Sequence, residues 1–193
     1  AEGYKNTEIG VIPEDWEIDE VGNVISILTD FTANGSFASL AENVHYLTKP
    51  NYARLVRLTD IRANFANDGI YITKEAYCFL EKSKLFGNEL LVANVGANTG
   101  YSFKFPSGLS FKASLGPNMF LLRFNEKIIN PNFSFYAFNS SYLLDQLFSK
   151  ASSSAQPKLN KQNVRECLIC YPKKLPEQLA IATALSDVDA LIS

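Results

Sequence analysis

Gly87-Asn88-Glu89-Leu90-Leu91-Val92-Ala93-Asn94-Val95-Gly96-Ala97-Asn98-Thr99-Gly100 carries the plan of the chain on a small scale. Glu89–Ala93 contains an apolar run too short for an ordinary helix. Turn-forming residues bound it on both sides, so it is predicted as a short buried strand. The loop beyond is polar and closed by glycines, which supply backbone conformations that side-chain-bearing residues avoid.

A buried strand needs neighbours, and the flanking sequence supplies them. Tyr101–Phe105 and Phe120–Phe124 read as further strands, with glycines and prolines between them. On the N-terminal side, Arg54-Leu55-Val56-Arg57-Leu58 alternates charged and apolar groups, the pattern of a strand with one wet face. Thr59-Asp60-Ile61 then turns the chain. Asn67-Asp68-Gly69 is a strong turn signal ahead of a strand at Ile70-Tyr71-Ile72. Thr73 caps a predicted helix reaching Lys82. Residues 30–45, small and polar around Asn34-Gly35-Ser36, read as a loop. The start is an extended arm turning at Pro13, with Asp15 placed to cap a short helix beginning near Trp16.

From Asn130 the period changes. Asn130-Pro131 is a good helix start, and Phe135, Phe138, Tyr142, Leu143 and Leu147 recur at helical spacing to about Lys150. A polar loop covers 152–157, and Asn160 is placed to cap a short helix through Arg165. A last strand ends at Pro172, and a final helix runs from about Pro176. In it Ile181, Leu185, Val188 and Ile192 recur at steps of four, three and four, a coiled-coil seam. No glycine stop closes this helix, so it is expected to be cut off or completed by a partner. The fold class is therefore α/β. Residues 1–174 form a globular domain of mixed or antiparallel sheet with peripheral helices, and 175–193 begin a coiled-coil-type helix.

Apolar residues make up 47% of the 193 positions, enough for a substantial core. No apolar run reaches the ~18 residues of a membrane helix, and the first residues lack the basic-then-apolar order of a secretory signal. The only methionine is Met119, so the start is processed or the chain is a fragment. The formal charge of −2 argues against a nucleic-acid partner, but its distribution does not. Residues 1–48 hold one base against nine acids, whereas 90–165 hold eight bases against two acids. Phosphate binding needs a local basic surface, not a basic total.

Catalytic and metal chemistry find little support. His45, the only histidine, stands alone in the sequence, which argues against a serine–histidine–acid set. Cys167 and Cys170 have Cys-x-x-Cys spacing, but within a predicted strand they face opposite sides and read as core thiols. Three cysteines do not make a disulfide framework, which points to a reducing, cytoplasmic compartment. Asn130-Pro131-Asn132-Phe133 has some likeness to the base-gripping motif of amino-methyltransferases. It lacks the second proline and a preceding methyl-donor loop, and helix initiation explains it better. Gly96–Gly100 lacks the Lys-Ser/Thr of a phosphate loop.

Four ordered stretches resemble one family. They are Tyr4-Lys5-x-Thr7-Glu8-Ile9-Gly10-x-Ile12-Pro13-x-Asp15-Trp16, then Leu55-Val56-Arg57-Leu58-x-Asp60-Ile61, then Gly87–Gly100. The fourth is Leu159-Asn160 followed by Pro172 and Pro176-Glu177-Gln178. Together they resemble the DNA target-recognition domain of type I restriction-modification specificity subunits, with Asn88-Glu89 where Gly-Asp is commoner. The resemblance covers nearly the whole chain. It implies an α/β recognition domain followed by a long helix, no catalysis by this chain, and sequence-specific binding of double-stranded DNA. It further implies methyltransferase subunits and a restriction (translocase and nuclease) subunit as partners. S-adenosylmethionine is expected only on the methyltransferase partner, and no metal or other cofactor is expected here. Full subunits usually carry two such units, each reading half of a split target. The signatures occur once here, so one unit is expected, pairing with a second unit or a second copy through the final helix.

Base readout needs donors and acceptors that reach a groove, and phosphate contacts need bases, hydroxyls and amides. Two loops are richest. The first supplies Asn98, Thr99, Tyr101, Ser102, Lys104 and Lys112; the second supplies Ser154, Gln156, Lys158, Asn160 and Lys161. Arg57 and Arg62 come third. The competing reading is a protein-interaction or dimerisation module with no DNA affinity, working through Ile181, Leu185, Val188 and Ile192.

Overall fold

The computed structural model describes residues 3–192. The chain opens with a hairpin of β1 (Tyr4–Thr7) and β2 (Gly10–Pro13), then β3 (Trp16–Glu20), the single turn α1 (Val21–Val24) and β4 (Ile25–Asp30). A 3-10 turn at Phe31–Asn34 leads to α2 (Phe37–Asn43), β5 (Ala53–Val56), α3 (Leu58–Arg62), β6 (Ile70–Ile72) and α4 (Lys74–Phe79). Next come β7 (Lys84–Leu85), β8 (Leu90–Ala93), β9 (Ser102–Lys104), β10 (Lys112–Leu115) and β11 (Met119–Phe124). Helices α5 (Pro131–Phe138), α6 (Ser141–Lys150) and α7 (Lys161–Arg165) precede β12 (Leu168–Pro172) and the long α8 (Leu175–Ile192).

Two four-stranded sheets lie at the centre. One runs β4-β11-β8-β9, antiparallel throughout; the other runs β6-β5-β10-β7, with β5 and β10 parallel. The Leu90–Ala93 strand is apolar at every position because its sheet is covered on both faces. Leu90, Val92, Phe120 and Leu122 share a core with Phe133, Phe138, Leu143 and Leu147 of α5 and α6. Leu91, Met119 and Leu121 point the other way, onto Val56, Ala113 and Leu115 of the second sheet. The far face of that sheet, through Ala53, Leu55 and Ile72, packs on Leu40 of α2 and on Ala76 and Tyr77 of α4. The architecture is thus helices, sheet, sheet, helices. Each fully buried leucine contributes about 1.5–3 kcal/mol, and truncating Leu91 between the sheets would cost about 2–5 kcal/mol.

The mixed α/β architecture, the strands at 70–72, 90–93, 102–104 and 119–124, and the capped starts at Thr73, Asn130 and Asn160 agree with the sequence reading. Several segments differ. Trp16 starts a strand, not a helix, because pairing of β3 with β12 supplies its backbone partners, Pro172 opposite Trp16 and Leu168 opposite Glu20. Residues 30–45 are more structured than a loop. The Asp30 carboxylate accepts from the Ala33 amide at 2.8 Å, and the Ser36 hydroxyl caps α2. Strand β10 had no sequence signal of its own, being short and built partly on small residues. The long helix expected from 131 to 150 is broken at Asn139–Ser140, where α5 ends and α6 begins.

The alternating charge at Arg54 and Arg57 does not mark a wet face. Every residue of β5 is buried, and Arg54 is 5% exposed. Its guanidinium donates to Asp60 (2.8 Å), the Asn67 side chain (3.0 Å) and the Phe65 carbonyl (3.1 Å), with the rings of Phe65, Tyr71 and Phe111 around it. Asp60 belongs to α3, not to a simple turn, and its second oxygen accepts from the Arg57 amide at 2.7 Å. Burial would raise the Asp60 carboxyl, but hydrogen bonds from Arg57, Arg54 and Asn67 outweigh it and hold it at about 2. Cys167 and Cys170 are buried free thiols, both pushed up by burial, Cys167 to about 11.

Candidate nucleic-acid interface

Where β8 ends, the ladder to β11 gives way to contacts with a distant loop. The Leu159 amide donates to the Asn94 carbonyl at 2.9 Å, and Val95 pairs with Lys158 as an antiparallel bridge. The Gly96 amide donates to the Pro157 carbonyl at 3.0 Å. Thr99 is 5% exposed, its hydroxyl 2.7 Å from the Gly96 carbonyl and 3.0 Å from that of Pro157. Thus the loops 94–101 and 152–160, far apart in sequence, form one surface. Gly100 is required where the first loop turns back. It has φ +96°, and a Cβ there would come within 2.9 Å of the Phe148 ring.

The second loop is braced from within. Ser152 and Lys158 exchange hydrogen bonds, the Ser152 amide to the Lys158 carbonyl and the Lys158 amide to the Ser152 hydroxyl, each 3.0 Å. Ser154 donates to the Gln156 carbonyl at 2.7 Å. Asn160 accepts from the Asn163 amide as the cap of α7, and Lys161 forms an ion pair with Asp30 at 2.9 Å. From α3, Arg62 donates to the Asn98 side-chain oxygen at 2.5 Å. Among the described residues, no carboxylate pairs with Arg62 or Lys158.

Of the residues singled out in the sequence, Arg62, Asn98, Tyr101, Ser154, Gln156, Lys158, Asn160 and Lys161 lie on these joined loops or the elements they contact. The rest do not present their side chains on that surface. Thr99 and Ser102 are buried, and the Ser102 hydroxyl has no partner among the described residues. Arg57 is held by Asp60 at 2.9 Å and the Asp68 carbonyl at 2.8 Å, which makes it a brace for α3. Lys112 sits at the far end of β10, donating to the Tyr52 hydroxyl at 2.6 Å. Lys104 lies at the other end of β9, bonded to Asn132 in a cleft with Asp187 of α8, and burial lowers its pKa.

The sequence reading missed a groove at the same end of the sheets. The turn at Asp30–Thr32, Asn94, Val95 and the Pro117-Asn118 turn enclose it, with Phe37 and Tyr46 on its walls. The available signals were the Pro117-Asn118 turn and a lone phenylalanine in a stretch of small polar residues.

The stretches that carry the family resemblance build the scaffold beneath this surface. Asn88 has φ +66°, a conformation that suits glycine or asparagine. Glu89 accepts from the Phe86 and Gly87 amides at 2.8 Å and from Arg123 at 2.9 Å. Gln178 is fully buried. It accepts from the Asn130 amide at 2.7 Å and donates to the Ile128 and Pro172 carbonyls at 2.8 Å. In this way α8 is fixed to the domain at its start, and the Tyr136 hydroxyl donates to Asp189 further along at 3.0 Å, while Leu185, Val188 and Ile192 are exposed. Among the described residues no helix is long and apolar enough to cross a membrane, and no cluster of three or more metal-ligating side chains occurs.

Residues 13–193 match the family model described as "Type I restriction modification DNA specificity domain". Among curated proteins, the chain is 27% identical over 196 residues to the putative type I restriction enzyme MjaX specificity subunit of Methanocaldococcus jannaschii. That match covers 99% of this chain and 43% of the relative. Among solved structures, it is similar to the HsdS subunit from Thermoanaerobacter tengcongensis, with TM-score 0.64, 16% identity, 99% of this chain and 41% of that one. The type I restriction-modification S subunit from M. genitalium gives TM-score 0.58 and 15% identity, over 91% of this chain and 39% of that one. At such identities the structural likeness speaks for the fold. The chain spans less than half the length of each of these relatives.

Proposed function

The chain belongs to the type I restriction modification DNA specificity domain family, and on that premise we propose that it binds double-stranded DNA as one target-recognition unit, reading half of a split target. The observation that carries this reading is the joining of the 94–101 and 152–160 loops by Val95–Lys158, Gly96–Pro157 and Asn94–Leu159. The loops and α3 gather amides and two cations, Lys158 and Arg62, that have no carboxylate partner among the described residues, at one end of the double sheet. Function on loops held by such a scaffold is the ordinary arrangement.

The division of labour follows from side-chain chemistry. Arg62 and Lys158, without carboxylate partners among the described residues, take phosphates and set the register. Asn98 and Gln156 carry the paired donor and acceptor that suit adenine in the major groove. Arg62 holds the Asn98 oxygen, which fixes how that amide is presented. Lys161 is partly neutralised by Asp30 and Asn160 is engaged as a cap, so both contribute less.

Partners supply the chemistry. Methyltransferase subunits bind S-adenosylmethionine and modify the target, and a restriction subunit translocates and cuts; this chain docks them to the site. The exposed Leu185, Val188 and Ile192 of α8 pair with a second recognition unit or a second copy. The complex works in the cytoplasm, where the DNA is. The exposed seam also favours a second reading, a pairing module with no DNA affinity. Charge reversal at Arg62 and Lys158 separates the two, because only the first reading loses DNA binding. Methylation mapping of DNA from cells carrying this chain and its partners should give one bipartite motif that disappears when the chain is removed. An unchanged methylation pattern refutes the proposal.

A further inference from the structure

Phe37 is 83% exposed and Tyr46 is 53% exposed, on the walls of one groove at the end of the sheets where the loops join. A phenylalanine so uncovered, at the first position of a capped helix, gains nothing for the fold of this chain. The groove is continuous with the joined loops. Val95 lines it, and Val95 is bridged to Lys158. Among the described residues that line it the acid is Asp30, which is bound to Lys161 at 2.9 Å and accepts from the Ala33 amide and the Thr32 hydroxyl. The joined loops that continue from the groove therefore carry Lys158 and, through Asn98, Arg62, neither with a carboxylate partner among the described residues, and the acid in the groove is already engaged. That complements a polyanion.

We infer that Phe37 is a specificity-determining contact to DNA bases, packing against the C5-methyl group of a thymine at the major-groove edge, with Tyr46 beside it. This rests on the DNA-binding reading given above. In a stacked duplex the thymine methyl is the apolar group that a base pair presents in the major groove, so an apolar ring selects it. The Asn94 and Asn118 side chains line the same groove and supply polar neighbours for the flanking bases.

The test uses the full complex with its methyltransferase partner and duplexes carrying the mapped target, with each thymine replaced in turn by uracil. Loss of one buried methyl weakens binding by about fourfold. The unmutated complex should show that loss at one position in this half-target. Phe37→Ala should weaken binding roughly 10–100-fold and bind the thymine and uracil duplexes equally at that position. Phe37→Leu should recover part of both. Undiminished thymine–uracil discrimination in Phe37→Ala overturns the contact. So does a fluorescence rise from 2-aminopurine placed beside the site, since that marks a wedge between bases and not an edge contact. If the unmutated complex prefers no sequence at all, the DNA-binding reading falls and takes this contact with it. Loss of binding in Lys158→Ala with no effect of Phe37→Ala removes this contact alone.

Discussion

Trp16 donates its indole N–H to the Glu177 carboxylate at 3.3 Å, joining residues 161 positions apart. One belongs to the opening signature and the other to the closing Pro176-Glu177-Gln178. The bond sits beside the β3–β12 pairing and against Phe133, whose ring meets Trp16 edge-on at 6.2 Å. The opening stretch and the start of α8 thus close on each other, and the first and last of the four stretches that carry the family resemblance hold this closure.

Gln178 is the centre of that closure. Replacing it with leucine leaves the Asn130 amide and the Ile128 and Pro172 carbonyls buried without their partner. Each orphaned group costs about 1–3 kcal/mol, so urea unfolding should show a loss of roughly 3 kcal/mol or more. Trp16→Phe removes one hydrogen bond and should cost about 0.5–1.5 kcal/mol. Equal losses for the two variants would contradict this ranking.

Acid sensitivity should centre on Asp60. Its carboxyl is held at about 2 in the folded chain, below its ordinary value of 3.8. A lowered folded pKa means that the stabilisation is fully present above about pH 4 and is lost as pH falls from there towards 2. The share at stake is about 2 kcal/mol. Asp60→Asn should lose this part of the pH dependence and cost about 3–5 kcal/mol at neutral pH, because Arg54 is left buried without its counter-charge. Denaturant midpoints between about pH 7 and pH 2 measure both.

Gly100→Ala tests the loop geometry. It forces a side chain into φ +96° and onto the Phe148 ring, which should destabilise by more than about 1 kcal/mol. Because Gly100 anchors the loop that carries Asn98, the variant should lose sequence preference beyond what its lower stability explains. Thermal melts and DNA binding measured well below the melting temperature separate the two effects.

Leu185→Asp places a carboxylate on the exposed seam of α8. The folded domain tolerates it, since Leu185 is 42% exposed. Pairing does not, because the charge would be buried against the partner helix. Light scattering across a concentration series should show a lower mass for the variant wherever the unmutated chain associates. An identical mass for both would remove the seam from the account.

The extent to which the sequence foretold this structure follows from how local each signal is. Caps at Thr73, Asn130 and Asn160 were legible because their chemistry is confined to three or four residues. Leu90–Ala93 was legible because both of its faces are buried. Arg54 was misread because alternation cannot distinguish a wet face from a buried ion pair whose partners, Asp60 and Asn67, come later in the chain. Trp16–Glu20 was misread because its strand partner lies about 150 residues away. Among the candidate contacts, sequence reading found the two loops but could not see that Thr99 is spent joining them, or that Lys104 and Lys112 sit at the far ends of their strands.

The central claim is that the joined loops read DNA, and fluorescence anisotropy of the complex with its methyltransferase partner tests it most directly. The comparison is the mapped target against a scrambled duplex of equal length, across a series of salt concentrations. The account predicts a preference of at least about 10³ for the target, most of it lost in Asn98→Ala with Gln156→Ala. It also predicts that Lys158→Ala weakens both duplexes alike and lowers the salt slope by about one unit. Equal affinity for the two duplexes, or affinities unmoved by all three substitutions, would contradict it.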